Sequence, residues 1–527
     1  MITELHLGNF KAFAEPVRVP IRPLTLIFGP NSAGKSSLIH GLALGHEGAR
    51  LKGRLDIKRT KLGGDAIDLG GFRQFVHRRA LDQRVTWGIE IRNELGGGFM
   101  MAPSMFNVPA LNDFVVLSSF GLPLDDEART LFRAKPTLAS FELKLNDESR
   151  LRMSSRSGGN LYIDALSVPF VKMLQRFRGG LVTSRKENRA WSEEELKEAI
   201  LGVVAKPVGL FPEPEGVDSD LMGFVGALRS VLESVSRVAD KELGQLSYLG
   251  PLRSYPPRHM AFTEQDDTNW AAGGGRAWDR LRKSKKLRDA VNAWLGSKER
   301  LQTPYRISLR RYIAPITAQG AIGAGIDEIL SKLSERDETA EDEEAQTEAS
   351  PLDRDALVKL MTQKLLHDHN VEGDDDLVLV DLRTDTTVSH RDVGIGISQV
   401  LPVLVEAYGN MCRLVAIEQP EIHLHPRLQA ELGDVFIKSA LGGWGNTFLL
   451  ETHSEHLLLR IMRRMRETAE GRVEEGKHEV RPDDVMVLYV EPDGARSIVR
   501  QMPLNERGEL VKAWPGGFFE EGLREVF

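Results

Sequence analysis

Nine residues, Gly29 to Ser37, constrain this chain more than any others: they read GPNSAGKSS and match the pattern G-x-x-x-x-G-K-[ST] at every fixed position. The run before them, Leu24 to Phe28, is apolar and β-favouring, and the run after them, Ser36 to Leu44, reads as a helix. The pattern is therefore predicted at a strand-to-helix turn, which is where a phosphate-binding loop belongs. Gly29 and Gly34 let the backbone wrap a phosphate group. The amides of Asn31, Ser32, Ala33 and Gly34 then face the anion at a helix N-terminus, where the dipole also favours negative charge. Lys35 is expected to reach the β- and γ-phosphates of a nucleoside triphosphate, and the hydroxyl of Ser36, with Ser37 beside it, to ligate Mg²⁺.

The chain has 527 residues, enough for several domains or for one domain with a large insertion. Its formal charge of -7 is mild for this size, so a nucleic-acid contact would have to come from a local basic face. The single cysteine, Cys412, excludes an intrachain disulfide and a cysteine-based zinc site and fits a reducing compartment. No apolar run is long enough for a membrane helix, and the N-terminus lacks a signal-peptide core, so a cytoplasmic protein is expected, without a membrane partner.

Strands are predicted at residues 2–7, 24–28, 66–69, 85–91, 141–145 and 161–163. A helical stripe follows at Leu221, Phe224, Val225, Leu228, Val231, Leu232, Val235 and Val238, and a second at Leu287, Val291, Trp294 and Leu295, both read as core-facing. Between them lie Tyr248 to Arg253 and Tyr255 to Arg258, too rich in proline for helix, and a basic run from Arg276 to Arg288. Arg282, Lys283, Lys285 and Lys286 are its candidate phosphate-backbone contacts, and a solvated helix face is the competing reading. Residues Ser334 to Asp355 are acidic and poor in apolar side chains, and are expected to form a mobile surface loop.

Three further pieces cluster late in the chain. Ser389 to Leu401 reads SHRDVGIGISQVL; Gly396, Ser398 and Gln399 are candidate phosphate contacts, with Ser398 expected to cap the following helix. Leu414 to Glu418 is an apolar strand ending in a carboxylate, the usual way to hold Mg²⁺ through water, and Gln419 and Glu421 follow it. Thr447 to Ser454 is another strand, ending in His453, which could reach the γ-phosphate or the attacking water. His423 and His425 could hold a metal on an extended segment, although a contact loop is the default reading.

Taken in order, these motifs resemble the ABC-type ATPases of the SMC, RecF and OLD lineage. The resemblance makes GPNSAGKSS the Walker A motif, GIGISQ the signature, VAIEQPE Walker B, IHLHP the D-loop and THS the switch-histidine segment, with Gln74 as a Q-loop residue and Mg²⁺ ligand. The opening ITELHLGNFKAF is also similar to the first strand of that lineage. The fold it implies is α/β: an ABC-type (RecF/SMC-like) P-loop head, with a large, mainly helical insertion between Walker A and signature. The segments would be residues 1–125 for the first half of the head, 126–372 for a mixed strand and helix insertion, 373–460 for the second half and 461–527 for a C-terminal subdomain. YLGPLR, the pairing of IEQPE with IHLHP, and the tail WPGGFFEE further resemble a prokaryotic family of ATPases with a C-terminal domain of unknown function, often found in antiphage or DNA-restriction settings beside a separate nuclease.

Three departures from that pattern matter. The signature lacks the Leu-Ser-Gly-Gly-Gln wording. Gln419 stands where a catalytic Glu is usual, and an amide cannot take a proton from water. Only 74 residues follow His453, short for the nuclease domain of OLD-type proteins. The function implied is an ATP-hydrolysing switch that dimerises on ATP, turns over slowly and acts in a DNA-related process, with Glu418, Gln419, Glu421 and His453 as the catalytic set. Its expected partners are a second copy, a separate nuclease or effector protein, and DNA. A nucleotide-sensing scaffold with little turnover, a DNA repair or recombination ATPase, and a transporter subunit are the alternatives.

Overall fold

The structure is a computed structural model, and it describes residues 1–50, 54–92, 113–123, 134–146, 148–156, 159–176, 200–215, 222–253, 269–297, 302–313, 373–389 and 393–515. The acidic stretch Ser334 to Asp355, the prolines at 256 and 257, and the tail beyond Pro515 lie outside these residues.

The chain opens with β1 (Ile2–Gly8), β2 (Val17–Pro20) and β3 (Leu24–Phe28), and β3 runs through the glycine loop into α1 (Lys35–Arg50). Next come β4 (Arg59–Thr60), β5 (Gly64–Asp68), a single turn α2 (Phe72–Phe75), β6 (Val85–Ile91) and β7 (Phe114–Gly121). Strands β8 (Thr137–Leu145), β9 (Glu148–Ser155) and β10 (Leu161–Leu166) follow, then α3 (Val168–Arg176), β11 (Val204–Val208) and β12 (Phe211–Pro214). All but β3, β4 and β5 of these strands form one antiparallel sheet in the order β12-β11-β10-β9-β8-β7-β6-β1-β2.

The long helix α4 (Met222–Gly244) turns into β13 (Leu246–Leu249). Phe224, Val225, Leu228, Val231, Leu232 and Val235 of its predicted stripe are buried, and the helix packs on α1 and β12, so the 3.6-residue period is spent on the core. After it come α5 (Gly275–Lys283), α6 (Lys285–Gly296), β14 (Tyr305–Ile313), β15 (Gly373–Asp381), β16 (Thr386–Val388), α7 (Ile395–Gly409), β17 (Leu414–Glu418), α8 (Pro426–Leu441), β18 (Thr447–Glu451), α9 (Glu455–Ala469), β19 (Val485–Asp493) and β20 (Arg496–Gln501).

A second sheet, in the order β13-β17-β18-β3-β19-β20, is parallel except for β20. Strands β3, β17 and β18 are buried at every position, the near-continuous apolar runs that a parallel sheet covered on both faces requires. Helix α1 contacts β1 and β6 of the first sheet and β18 of the second, and it is buried almost all round. A Cβ at Gly45 would lie 2.1 Å from Trp87, and the Trp87 indole donates to the Gly41 carbonyl at 2.9 Å. Glycine is therefore needed there for the helix to reach the sheet.

The chain divides into two compact units, one of residues 1–254, 266–277 and 394–527, the other of 255–265 and 278–393. The second holds the antiparallel β14-β15-β16 sheet with α6 packed on β14, where Asn292 exchanges two hydrogen bonds with the backbone of Ile307. The nine-stranded and six-stranded sheets both belong to the first unit. The predicted stripe Leu287, Val291, Trp294 and Leu295 is the buried face of α6.

Candidate nucleotide site

Strand β3 lies between β18 and β19, and the glycine loop leaves its C-terminal end, the edge at which parallel α/β sheets bind ligands. Gly29 has φ 145° and a Cβ there would sit 2.1 Å from the Val490 carbonyl oxygen, so only glycine closes this loop. Ser32 also takes a left-handed φ of 62°. Asn31 and Ser32 are exposed, whereas Ala33, Lys35 and Ser37 are buried. Lys35 Nζ donates to the carbonyls of Gly29 at 3.1 Å and Pro30 at 3.0 Å, and lies 3.9 Å from Glu451 Oε1. The Ser36 hydroxyl donates to Glu451 Oε2 at 2.8 Å.

Glu418 ends β17 and Glu451 ends β18, and the two residues face each other in the parallel register. The Tyr248 hydroxyl, on β13, donates to Glu418 Oε1 at 2.9 Å. Burial, reinforced by the charge of Glu451, pushes the Glu418 carboxyl up to about 7. Burial also raises Glu421 and Glu451, and it lowers Lys35 against the pull of these three carboxylates. Three buried acids against one buried lysine leave an excess of negative charge, and the Ser36 hydroxyl with Glu418 and Glu451 supplies oxygen donors of the type a hard divalent cation such as Mg²⁺ takes.

The chain turns sharply after β17. Gln419 is left-handed, with φ 46°, and its amide donates to the Glu451 carbonyl at 2.7 Å. Glu421 is 8% exposed; its Oε1 accepts from the His453 amide at 2.7 Å, while its Oε2 is buried with no hydrogen-bond partner. The His453 ring is half-buried, and burial together with the Lys35 charge lowers its pKa, so it is neutral at pH 7.

Helix α7 corrects one expectation. It begins at Ile395 with Gly394 as its N-cap, so Ser398 is buried inside the helix and is not its N-cap. The GIG stretch reads as a loop from its glycines, yet only Gly394 stays outside the helix. Gly396 packs against the turn after β17, where a Cβ would lie 2.9 Å from the His423 carbonyl oxygen. His423 itself is left-handed at φ 63° and His425 caps α8, so the two rings do not share an extended segment. No cluster of three metal-ligating side chains of the His, Cys, Asp and Glu type occurs among the described residues.

Gln74 is exposed on α2, whose backbone is joined to Lys11 through Phe75: the Phe75 carbonyl accepts from the Lys11 amide at 2.7 Å. Lys11 Nζ sits 2.5 Å from His40 Nδ1, and burial lowers Lys11 to about 8 and His40 to about 3, which makes His40 the neutral acceptor. The charge of Glu418 acts on Lys11. Trp514, in the tail segment, packs edge-on to Phe28 at 5.5 Å, immediately before Gly29.

The basic run forms two helices broken at Ser284, which caps α6 through its hydroxyl. Arg288 donates to the carbonyls of Leu281 at 2.7 Å and Arg282 at 2.8 Å, so it closes the end of α5. Lys283, Lys285 and Lys286 are exposed and Arg282 is half-buried. Among the described residues, no helix is long and apolar enough to cross a membrane.

Sequence reasoning missed Glu451, Tyr248 and Lys11 as site residues. For Glu451 a signal existed, because FLLE at the end of β18 repeats VAIE at the end of β17.

Residues 246–460 match the model of a family described as "AAA domain, putative AbiEii toxin, Type IV TA system", and residues 480–527 match a family described as "Protein of unknown function (DUF3696)". No curated protein matches the chain. Solved structures similar to it include an SMC head bound to the C-winged helix domain of ScpA, 10% identical over 95% of this chain and 98% of that one with a TM-score of 0.36. An SMC head domain from Thermotoga maritima is 8% identical over 95% and 99%, with a TM-score of 0.35. An SMC head with an extended coiled coil, bound to the C-terminal domain of ScpA derived from Pyrococcus furiosus, is 11% identical over 100% and 98%, also at 0.35. The fold is α/β, with the glycine loop leaving the C-terminal end of a strand in a mainly parallel sheet.

Proposed function

We propose that this chain binds and slowly hydrolyses ATP with Mg²⁺, and that the closed, ATP-bound form is a dimer that switches a partner. The observation that carries the reading is the meeting of Lys35, Ser36, Glu418, Glu421 and Glu451 at the open end of the glycine loop. In this reading the loop amides and Lys35 hold the phosphates, and Ser36 with Glu418 holds the metal. Mg²⁺, when bound, offsets charge on the phosphate oxygens. Glu421 accepts the proton of the attacking water, a role open to it because Oε2 has no partner and Gln419 cannot serve. The neutral His453 donates or accepts a hydrogen bond beside it.

The dimer follows from Gly396, Ser398 and Gln399, which we infer complete the pocket of a second copy. A DNA-related setting, with a separate nuclease or effector in antiphage defence, rests on the sequence resemblance; the AAA family's own description names a toxin system. A nucleotide-sensing scaffold with little turnover is the second reading, favoured by the amide at Gln419. Phosphate release by the purified chain, with ATP and Mg²⁺, with and without duplex DNA, tests the function. Release above background that Ser36→Ala abolishes supports it, and no release under any condition leaves only the scaffold.

A further inference from the structure

Arg253 follows β13 and is 6% exposed, a burial rarely tolerated for a cation without a paired carboxylate. Its partners are backbone oxygens from two different elements. Nη1 donates to the Gln399 carbonyl in α7 at 3.2 Å, and Nη2 donates to the carbonyls of Glu418 at 3.1 Å and Gln419 at 2.8 Å. Gln399 answers with its own side chain, whose Nε2 donates to the Arg253 carbonyl at 3.2 Å. The planar guanidinium fork thus spans the first turns of α7 and the turn that carries Glu418 to Glu421.

Two more features sit at this junction. Pro402, inside α7, has no amide hydrogen to give the Ser398 carbonyl, so the helix start is less firmly tied to its own axis than in a regular helix. Arg253 Nε and Glu421 Oε2 are both buried without hydrogen-bond partners, and the charge of Glu421 is the one that favours the Arg253 cation. Burial otherwise lowers Arg253 to about 10. A cation kept in this position at such a desolvation cost holds two backbones in register.

We propose that Arg253 is a positioning residue that locks the signature helix α7 to the acidic turn 418–421, so that contact made at Gly396 and Ser398 fixes where Glu418 and Glu421 stand. The inference deepens the ATPase reading and rests on it. It assigns no contact with nucleotide to Arg253 itself.

The test compares the full-length wild type with Arg253→Ala and Gln399→Ala, measuring affinity for a fluorescent N-methylanthraniloyl ATP and the kcat for phosphate release. Arg253→Ala is expected to keep nucleotide affinity within about threefold and to lose about 10–100-fold in kcat, the cost of a displaced catalytic group. Added guanidinium ion at non-denaturing concentration should restore part of the kcat in Arg253→Ala and none in Gln399→Ala. Gln399→Ala removes the answering hydrogen bond and also touches the pocket inferred for a second copy, so it too should lower kcat, and the double variant should lose less than the product of the two. Wild-type turnover matched by both variants overturns the inference alone. So does a parallel fall of affinity, kcat and melting temperature that guanidinium does not reverse. A wild type without turnover overturns the ATPase reading, and the inference with it.

Discussion

The Ser36 hydroxyl donates to Glu451 Oε2 at 2.8 Å, so the side chain placed to ligate a metal is held by a carboxylate that belongs to the strand next to the phosphate loop. Lys35 is held in the same way, by two loop carbonyls and by Glu451 at 3.9 Å. Glu451 therefore balances the charge of the loop and must be met by Mg²⁺ or displaced when a triphosphate enters.

Replacing Glu451 with Gln keeps the shape and removes that negative charge. ATP affinity without Mg²⁺ should rise about tenfold, on the order of 1.4 kcal/mol for relief of carboxylate–phosphate repulsion. Equilibrium binding of ATP in chelator measures it. An affinity that falls would show that Glu451 instead helps to hold the nucleotide.

The base is tested by Gln419→Glu and Glu421→Gln, assayed side by side at saturating ATP and Mg²⁺. Glu421 is the group with a free buried oxygen, and the Gln419 backbone is pinned to Glu451. Glu421→Gln should therefore lower phosphate release by about 10²–10⁴-fold while ATP still binds, and Gln419→Glu should change it little. A large acceleration by Gln419→Glu with no effect of Glu421→Gln would make the protein a slow switch lacking its base.

Lys283, Lys285 and Lys286 are exposed on either side of Ser284, and changing all three to Glu should abolish weak, salt-sensitive DNA binding. Fluorescence anisotropy with a labelled duplex at two salt concentrations is the measurement. Binding that persists unchanged marks the run as a solvated face.

Asp434 on α8 receives Arg464 Nε at 2.7 Å and Arg460 Nη1 at 2.6 Å from α9. Burial pushes its carboxyl up, but the Arg464 hydrogen bonds and the surrounding cations win and hold it at about 2. A depressed carboxyl stabilises the fold above its unfolded value near 3.9, and the contribution fades as pH falls toward 2. Thermal unfolding should show ~2 kcal/mol lost across that window. Asp434→Asn should be less stable at pH 7 and should lack this acid limb; an unchanged limb would place it elsewhere.

The glycine loop, its strand and helix, and the two later strands were legible because each is a local pattern: an apolar run, a fixed spacing, a terminal carboxylate. What was not legible depends on register or on distance along the chain. Glu451 joins the site because β17 and β18 run in register, and neither strand alone says so. Tyr248 and Arg253 reach Glu418 across about 170 residues of sequence, through a strand pairing that composition does not encode. Ser398 was misplaced because the GIGIS stretch, with glycines at 394 and 396, has the look of a cap, whereas packing against the turn at His423 draws Gly396 into the helix.

The most direct measurement is isothermal titration of ATP with Mg²⁺ into the wild type and into Lys35→Ala. A site built from Gly29 to Ser36 predicts saturable binding at one nucleotide per chain in the wild type and at least a hundredfold weaker binding in the variant, on the order of 2.7 kcal/mol. Equal affinity in the two proteins, or no heat in either, would contradict it.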